Sequence, residues 1–191
     1  ENLKRYGFKN FIISLHYLPD MIKDFLGNGA DYGINIKYII EKEPLGTAGC
    51  LSLIQDSLSG NNLVVNADVL TDIDYRGLLD FHAKKNSAIT VCTREYIHEI
   101  PFGVVNISNG IIKSIEEKPS IKSWVNAGIY LINFDKLPIL KKDKYLDMPD
   151  LLETTLAEGE KVSNFEISNY WIDIGQIHDY EKAQLDVNNN L

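Results

Sequence analysis

Two aspartates, far apart in the sequence, each follow a short apolar segment. Asp68 comes after residues 63–65, whose composition is typical of a buried parallel strand, and Asp173 lies between an aromatic residue and a glycine. Ligands of open α/β sheets bind beyond the carboxyl ends of strands, so we expect both carboxylates to face a substrate. Two such carboxylates can hold a hard cation such as Mg²⁺ and leave positions for phosphate oxygens. A single aspartate is more often a cap or turn residue, so the metal interpretation depends on the pair.

The elements around these aspartates predict an α/β fold: a doubly wound, mostly parallel (Rossmann-like) mixed sheet with a small antiparallel extension. Helices and strands alternate in the first half of the chain, which is typical of a parallel sheet with right-handed crossovers. The second half contains a hairpin pattern and one further strand. The predicted helices are 1–6, 19–25, 47–58 and one around 78–82, and the predicted strands are 11–15, 34–40, one ending at 68, 88–92, 103–107, 111–117 and 125–133.

Composition excludes several classes of function. The 191 residues are 45% hydrophobic and 24% charged, as expected for one globular domain. No apolar run reaches membrane-spanning length and the N-terminus has no signal-peptide pattern, so no membrane partner is expected. Cys50 and Cys92 lack metal-ligand spacing and are expected to be reduced thiols of a cytoplasmic protein. A net charge of −8 argues against nucleic acid as a partner, but not against a nucleotide whose phosphates a metal and a few lysines neutralise.

Five motifs in order carry a resemblance to a known family. They are Glu41-Lys42-Glu43-Pro44-Leu45-Gly46-Thr47-Ala48-Gly49, Asn66-Ala67-Asp68, Glu116-Glu117-Lys118-Pro119, Val125-Asn126-Ala127-Gly128-Ile129-Tyr130 and Trp171-Ile172-Asp173-Ile174-Gly175. With them the chain resembles the sugar-1-phosphate nucleotidyltransferases (nucleotide-sugar pyrophosphorylases), in particular the mannose-1-phosphate guanylyltransferase-like branch. The resemblance implies transfer of a nucleotidyl group from an NTP, with GTP favoured, to a sugar 1-phosphate. The products would be an NDP-sugar, used for example in polysaccharide biosynthesis, and pyrophosphate. It also implies Mg²⁺ as the cofactor, with Asp68 and Asp173 as its ligands.

The chain departs from the family pattern at its beginning. The family's opening signature, a glycine-rich phosphate-binding loop with an arginine and a downstream lysine, is absent from the 191 residues. We therefore expect residues 1–191 to be a nucleotidyltransferase domain that lacks its N-terminal strand and this loop, and to be inactive alone. The first strand of a doubly wound sheet is central, so its absence would leave two inner edges unpaired. Ala67 also stands where the family commonly has glycine.

The first motif is expected to bind the nucleotide. The resemblance places Glu41 at the position that reads the base edge, where guanine offers two adjacent donors to a carboxylate and uracil or thymine offers only one, between two acceptors. Gly46 and Gly49 lack Cβ atoms, which predicts that a flat base approaches the backbone closely. Pro44 and Thr47 complete the predicted substrate-binding turn. The alternatives are a solvated charge at Glu41 and a tight turn that needs glycine for its conformation.

The third and fourth motifs are expected to bind the sugar phosphate. The resemblance assigns Glu117 to sugar hydroxyls and makes Lys118 the catalytic contact to the sugar phosphate. It adds the Gly103 backbone N–H and the Asn126 amide as further sugar contacts. Pro119 predicts an extended conformation for Lys118. The alternative for these charged residues is a solvated turn.

Two other functions stay open at this point. Asp72 and Asp74 form a D-x-D pattern, which glycosyltransferases use to hold a metal and a sugar nucleotide, although we predict that one of them is a helix N-cap. A metal-dependent glycosyltransferase-like protein is therefore one alternative, and a non-catalytic regulatory module that binds a nucleotide or sugar phosphate is the other. His82 is predicted to be a hydrogen-bonded core residue. A homo-oligomer stays open, and the sugar cannot be read from these residues.

Overall fold

The computed structural model describes residues 2–188, which form ten β-strands and six α-helices. The strands are β1 (Asn10–Leu15), β2 (Asn35–Ile40), β3 (Asn61–Val65), β4 (Val69–Thr71), β5 (Ile89–Glu99), β6 (Val104–Ser108), β7 (Ile111–Glu116), β8 (Ser120–Asn133), β9 (Val162–Glu166) and β10 (Trp171–Asp173). The helices are α1 (Asn2–Arg5), α2 (Pro19–Leu26), α3 (Gly46–Gly49), α4 (Tyr75–Lys85), α5 (Met148–Ala157) and α6 (Ile177–Asn188). None of the helices within residues 2–188 is long and apolar enough to cross a lipid bilayer.

The strands form a mixed α/β architecture. The central sheet has the order β3-β8-β5-β9, in which β8 is antiparallel to β3 and β5, and β9 is parallel to β5. Three of its four strands therefore run in one direction. Strands β1 and β2 form a separate parallel pair connected through α2, which is the order of a βαβ unit. The antiparallel hairpin of β6 and β7 is the predicted small extension, and the predicted fold class is confirmed.

Two hydrophobic clusters cover opposite faces of the central sheet. Consecutive residues of β8 alternate between them, because successive side chains of a strand point to opposite faces. Helix α5 covers one face and α4 covers the other, as expected for a doubly wound sheet. The first cluster includes Ile89, Val91, Tyr130, Ile132, Met148 and Leu151, and the second includes Tyr75, Leu78, Cys92, Ile129 and Leu131.

Strands β1 and β3 each pair along one edge within the described part of the chain. β1 pairs with β2, and β3 pairs with β8. Both strands contribute to the wall of a cavity of about 820 Å³, whose apolar lining includes Leu3, Phe11, Ile13, Ile36, Val65, Val69 and Tyr75. The expectation of two unpaired inner edges stays a prediction. The expectation of a missing strand and phosphate-binding loop stays a prediction.

The helix predicted over residues 47–58 is wrong. The chain instead forms the four-residue helix α3 and two 3₁₀ segments, Cys50–Leu53 and Gln55–Ser57. The hydroxyl of Ser52 donates to the carbonyl of Gly49 at 2.7 Å, and the hydroxyl of Ser57 donates to the carbonyl of Ile54 at 2.8 Å. These local side-chain bonds compete with a regular helical ladder, and they explain the interruption.

Buried His82 ties helix α4 to the central sheet. Its side chain is 1% exposed, with Nδ1 2.7 Å from the hydroxyl of Thr90 and Nε2 3.2 Å from the side-chain oxygen of Asn61. The Asn61 oxygen can only accept, so Nε2 carries the proton and Nδ1 accepts from Thr90 in a neutral imidazole. Burial, with a smaller contribution from Lys136, lowers the pKa of His82. The predicted core role of this residue is confirmed.

We expect His82 to make the protein less stable in acid. Its folded pKa lies below the ordinary value of 6.5, so the stability that it contributes is present above 6.5 and is lost as pH falls through the lower folded value. In urea unfolding between about pH 7.5 and pH 5, wild-type protein should lose more stability than the His82→Gln variant. The exposed His98 offers a matched control, and His98→Gln should keep the wild-type pH dependence. Equal pH dependence in wild type and His82→Gln would contradict this account.

Candidate active site

The turn after β3 and the end of β10 bring Asp68 and Asp173 together. Strands β4 and β10 pair antiparallel with Asp173 opposite Val69, and the backbone N–H of Ile174 donates to the carbonyl of Asp68 at 2.8 Å. A Cβ atom placed on Gly175 would lie 3.0 Å from Asp173 Oδ1 and 3.7 Å from Asp68 Oδ2. The two carboxylates therefore border one small space, which stays open because residue 175 has no side chain.

The donor chemistry of this space fits a hard divalent cation. Oδ1 of Asp68 is buried and has no hydrogen-bond partner, whereas buried polar atoms are normally paired. Asp173 is exposed, and its Oδ1 accepts the Gly175 N–H at 2.8 Å. Among residues 2–188 no group of three or more His, Cys, Asp or Glu side chains is arranged to hold a metal. A cation here would therefore need ligands beyond the two carboxylates, such as phosphate oxygens and water.

Hydrogen bonds connect three of the five sequence motifs around this space. The N–H of Asn66 donates to the carbonyl of Gly128 at 2.8 Å. The indole N–H of Trp171 donates to the carbonyl of Ala127, also at 2.8 Å, and the indole packs against the second hydrophobic cluster. Together with the bond from Ile174 to Asp68, these contacts hold the strand ends in one arrangement.

A cavity of about 480 Å³ extends from Asp68 to Thr47 of the first motif. Its lining residues are Thr47, Asn66, Ala67, Asp68 and Ile174. Thr47 comes from residues 44–49, the turn predicted to bind the nucleotide, which we call the nucleotide turn. Asp68 comes from the predicted metal-binding pair. The structure therefore brings together residues from two of the predicted subsites. A concave space with a few converging polar groups is the usual form of a small-ligand site.

Glu41 is bound within the protein and is not a solvated charge. Its Oε1 accepts from the hydroxyl of Ser14 at 2.5 Å, and its Oε2 accepts from the N–H of Leu45 at 3.0 Å. The carboxylate thus fixes the beginning of the turn that contains exposed Pro44. Each carboxylate oxygen can accept a second hydrogen bond, so a contact with a base is still compatible with this geometry. The role of Glu41 in reading the base stays a prediction.

The glycines of the turn agree with the alternative of a tight turn that needs glycine for its conformation, and the approach of a base stays a prediction. A Cβ on Gly46, whose φ is +77°, would lie 2.7 Å from both Asp147 Oδ1 and the carbonyl oxygen of Leu146. A Cβ on Gly49 would lie 2.7 Å from the carbonyl oxygen of Lys144. The missing side chains make room for another part of the protein, and this packing together with the positive φ explains why glycine stands there. Contact between Gly46 and a nucleotide stays a prediction.

The loop that contains Gly103 contacts the loop that contains Glu117, and both are predicted to bind the sugar phosphate. A Cβ on Gly103 would lie 2.9 Å from Glu117 Oε2, so the two predicted sugar contacts are neighbours. Among the described residues, no hydrogen bond connects these loops to the carboxylate pair. Their role in binding a sugar phosphate stays a prediction.

The extended conformation predicted for Lys118 is wrong. Its φ is +48°, in the left-handed region that few residues other than glycine adopt. The Lys118 N–H donates to the carbonyl of Phe102 at 3.3 Å, and the carbonyl of Pro119 accepts the N–H of Ile100 at 3.0 Å. These two bonds tie the turn to the facing loop and override the local preference for extended backbone before proline. Backbone in this region is costly and is concentrated at functional sites.

Asn126 has a fixed side chain next to the carboxylate turn. Its amide donates to the hydroxyl of Tyr130 at 2.6 Å, and its oxygen accepts the N–H of Gly128 at 3.0 Å. One amide N–H remains for a ligand. A Cβ on Gly128 would lie 3.0 Å from the side-chain nitrogen of Asn66, which places Asn126 close to the turn that carries Asp68.

One aspartate of the D-x-D pattern is a helix cap. Oδ1 of Asp74 accepts the N–H of Arg76 at 3.1 Å at the beginning of α4, which confirms the prediction that Asp72 or Asp74 is an N-cap. The Asp74 carboxylate is thus used within the fold, which weakens the glycosyltransferase alternative.

Sequence reasoning missed two residues beside the nucleotide turn. Asp147 accepts the N–H of Thr47 at 3.2 Å, and its other oxygen accepts from the hydroxyl of Tyr145 at 2.7 Å. The only sequence signal is an aspartate two positions before Pro149, a pattern that predicts a helix start and not a contact a hundred residues away.

The chain is similar in sequence to known proteins. A family model described as "Nucleotidyl transferase" matches residues 1–190. The chain is 31% identical over 196 residues to a mannose-1-phosphate guanyltransferase of Yarrowia lipolytica, and 28% identical over 189 residues to one of Saccharomyces cerevisiae. Each alignment covers 94% of this chain and 52% of the relative, so the chain spans about half the length of the curated relatives that it matches.

Solved structures have the same fold. The crystal structure of HddC from Yersinia pseudotuberculosis is similar, with a TM-score of 0.74 and 25% sequence identity. The match covers 97% of this chain and 82% of the HddC chain. A crystal structure of HddC complexed with GMP-PN is similar with the same TM-score and 24% identity, over the same shares of the two chains.

The unpaired oxygen of Asp68 predicts opposite effects on stability and on cation binding. The Asp68→Asn variant removes one of two neighbouring negative charges, so we expect its thermal midpoint without metal to rise by about 2–4 °C. Mg²⁺ should raise the midpoint of wild type but not that of Asp68→Asn, because ligands stabilise only the state that binds them. Asp72→Asn, which changes the same type of side chain in the next loop, should behave like wild type. A drop in the midpoint of Asp68→Asn, or an equal response of that variant to Mg²⁺, would contradict the assignment.

Proposed function

The chain belongs to the nucleotidyl transferase family, and from that premise we propose that it is an enzyme that transfers a nucleotidyl group from an NTP to a sugar 1-phosphate. The products are an NDP-sugar and pyrophosphate. The observation that carries this proposal is that Asp173 and Asp68 border one space, and that Asp68 and Thr47 line the same cavity. The relatives named mannose-1-phosphate guanyltransferases support a guanine nucleotide and a sugar 1-phosphate as substrates.

The reaction is a direct displacement at phosphorus. A phosphate oxygen of the sugar 1-phosphate forms a bond to the α-phosphorus of the NTP, and the bond from that phosphorus to the oxygen bridging to the β-phosphate breaks. The electron pair leaves with pyrophosphate. The attacking oxygen is already anionic at neutral pH, so the protein need not supply a general base. Catalysis then consists of aligning the two phosphates and neutralising their crowded charge.

The residues of the site divide this task. Thr47, Gly46 and Pro44 lie in the turn that receives the nucleotide, and Glu41 at its beginning accepts the donors of a guanine edge. Two adjacent N–H groups of guanine match a carboxylate, whereas a single N–H between two carbonyls does not. This difference favours GTP over UTP and dTTP.

The sugar phosphate is oriented by the residues of the third and fourth motifs. Lys118 neutralises its phosphate, Glu117 and the backbone N–H of Gly103 bind sugar hydroxyls, and Asn126 adds its free amide N–H. The left-handed backbone of Lys118 and the contact between Gly103 and Glu117 support a rigid, specialised loop pair.

The site's donor set supports Mg²⁺ as the cofactor, held by Asp68 and Asp173. When bound, the cation supplies charge neutralisation and Lewis-acid polarisation at the phosphoryl oxygens. The chain's own contribution is the fixed backbone that keeps both carboxylates at one space and the absence of a side chain at Gly175.

The proposal extends to location and assembly. Cys50 and Cys92 are unpaired thiols, which fits a reducing compartment, and we place the enzyme in the cytoplasm. A homo-oligomer is compatible with the proposal and can be measured by light scattering.

A pyrophosphate-release assay on the full-length protein tests the proposal. Wild type should release pyrophosphate from GTP only when a sugar 1-phosphate is present. The Asp68→Asn and Asp173→Asn variants should each lose about 100-fold or more in kcat with the fold intact, because each removes charge stabilisation from the transition state. Asp72→Asn provides the matched control and should retain wild-type activity.

The same assay measures nucleotide preference and decides between the functions. GTP should exceed UTP and dTTP in kcat/KM by about 10-fold or more, and Glu41→Gln should narrow that ratio. A higher kcat/KM with UTP or dTTP would overturn the role of Glu41. Near-wild-type release by either aspartate variant would overturn the metal assignment. Nucleotide binding without pyrophosphate release under every combination of substrates would favour the non-catalytic module.

A further inference from the structure

A distant segment, residues 145–148, holds the nucleotide turn in place; we refer to it as the tether. The N–H groups of Ala48 and Gly49 donate to the carbonyl of Leu146 at 3.0 and 2.9 Å. In the other direction, the N–H of Leu146 donates to the carbonyl of Leu45 at 2.9 Å. The tether and the turn are therefore bound by reciprocal backbone hydrogen bonds although about a hundred residues separate them.

Asp147 and Met148 fix the residue of the turn that lines the cavity. The N–H of Thr47 donates to Asp147 Oδ1 at 3.2 Å, and the hydroxyl of Thr47 accepts the N–H of Met148 at 2.8 Å. Thr47 lines the same cavity as Asp68. The tether therefore determines where Thr47 stands relative to the carboxylate pair.

The side chain of Asp147 serves the turn and not its own helix. It occupies the N-cap position of α5, where aspartate usually accepts an N–H of the helix that it precedes. Here its side chain makes no such cap bond. Its Oδ2 accepts from the hydroxyl of Tyr145 at 2.7 Å. The bond from Tyr145 and the bond from the Thr47 N–H together lower the pKa of Asp147. Asp147 is thus ionised at neutral pH and committed to the turn.

Two carboxylates hold the turn in the same way from its two ends. Glu41 places one oxygen on the N–H of Leu45 and the other on the hydroxyl of Ser14, as Asp147 does with Thr47 and Tyr145. The glycines at 46 and 49 allow the tether to approach so closely that a Cβ on either would lie 2.7 Å from it or from the preceding Lys144. The turn cannot shift toward the tether. Loss of the Asp147 side chain removes the bond to the Thr47 N–H and leaves the backbone bonds of Leu146 and Met148 in place.

We propose that Asp147, oriented by Tyr145, is a positioning residue for NTP binding through its contact with Thr47. This inference rests on the proposed function, because it assigns the nucleotide to the turn. It differs from a general role in stability by its kinetic signature. Loss of the contact should weaken binding of the NTP and leave binding of the sugar 1-phosphate unchanged.

Steady-state kinetics of the full-length protein with GTP and mannose 1-phosphate provide the test. Asp147→Ala should raise the KM for GTP by about 10-fold, with kcat and the KM for the sugar phosphate within about 2-fold of wild type. Asp147→Asn keeps an acceptor oxygen for the Thr47 N–H and should bring the KM for GTP back to within about 3-fold. Tyr145→Phe should fall between wild type and Asp147→Ala. Asp150→Ala removes an exposed carboxylate from the first turn of the same helix and should match wild type.

Amide hydrogen exchange tests the inference without any measurement of catalytic activity. Without substrates, Asp147→Ala should speed exchange in the peptide covering residues 45–50, whereas Asp150→Ala should not. An unchanged KM for GTP in an active Asp147→Ala protein would overturn the inference and leave the proposed function standing. Equal rises in both KM values, or faster exchange throughout the protein, would show a general structural role and overturn it as well. If wild type releases no pyrophosphate, the proposed function fails, and unchanged exchange in residues 45–50 would then overturn the hold of Asp147 on the turn.

Discussion

The hydrogen bond from the Ile174 N–H to the Asp68 carbonyl is the contact on which the site depends. At 2.8 Å it closes the pairing of β4 with β10 and brings two carboxylates from distant parts of the chain to one space. The two carboxylates border that space, and Asp68 buries an oxygen without a partner. The surrounding backbone bonds hold this arrangement in place. A buried acceptor without a partner fits a site whose ligand is a cation, because such an oxygen is normally paired.

Elements distant in sequence surround that space, and each contributes different side chains. The β3–β4 turn and the end of β10 supply the carboxylates, and the turn at α3 contributes Thr47 to the same cavity. Each of these two turns is held by hydrogen bonds to other parts of the chain. The carboxylate turn needs the carbonyl of Gly128, and the nucleotide turn needs Glu41 on one side and Asp147 on the other. The proposed displacement reaction relies on alignment of two phosphates, so it requires this kind of rigidity.

Local patterns predicted much of the fold and part of the site. The hairpin of β6 and β7, the cap at Asp74 and a strand before Asp68 follow from local sequence patterns, and the structure has each of them. The strand before Asp68 is β3, which pairs antiparallel with β8 and not parallel as its composition suggested. Lys118 and the segment 47–58 were predicted wrongly because backbone and side-chain bonds, including those of Lys118 to the facing loop, overrode the local preference. Asp147 could not be found, since a contact with Thr47 leaves no local pattern. The glycines of the turn were identified correctly, but the atoms that require them lie a hundred residues away.

A crystal structure of the full-length protein with Mg²⁺ and GTP tests the central claim most directly. The account predicts one Mg²⁺ that is bound by an oxygen of Asp68 and an oxygen of Asp173, each at about 2.1 Å, together with a phosphate oxygen of the nucleotide. A cation bound to the phosphates alone, with the two aspartates turned away from each other, would contradict it.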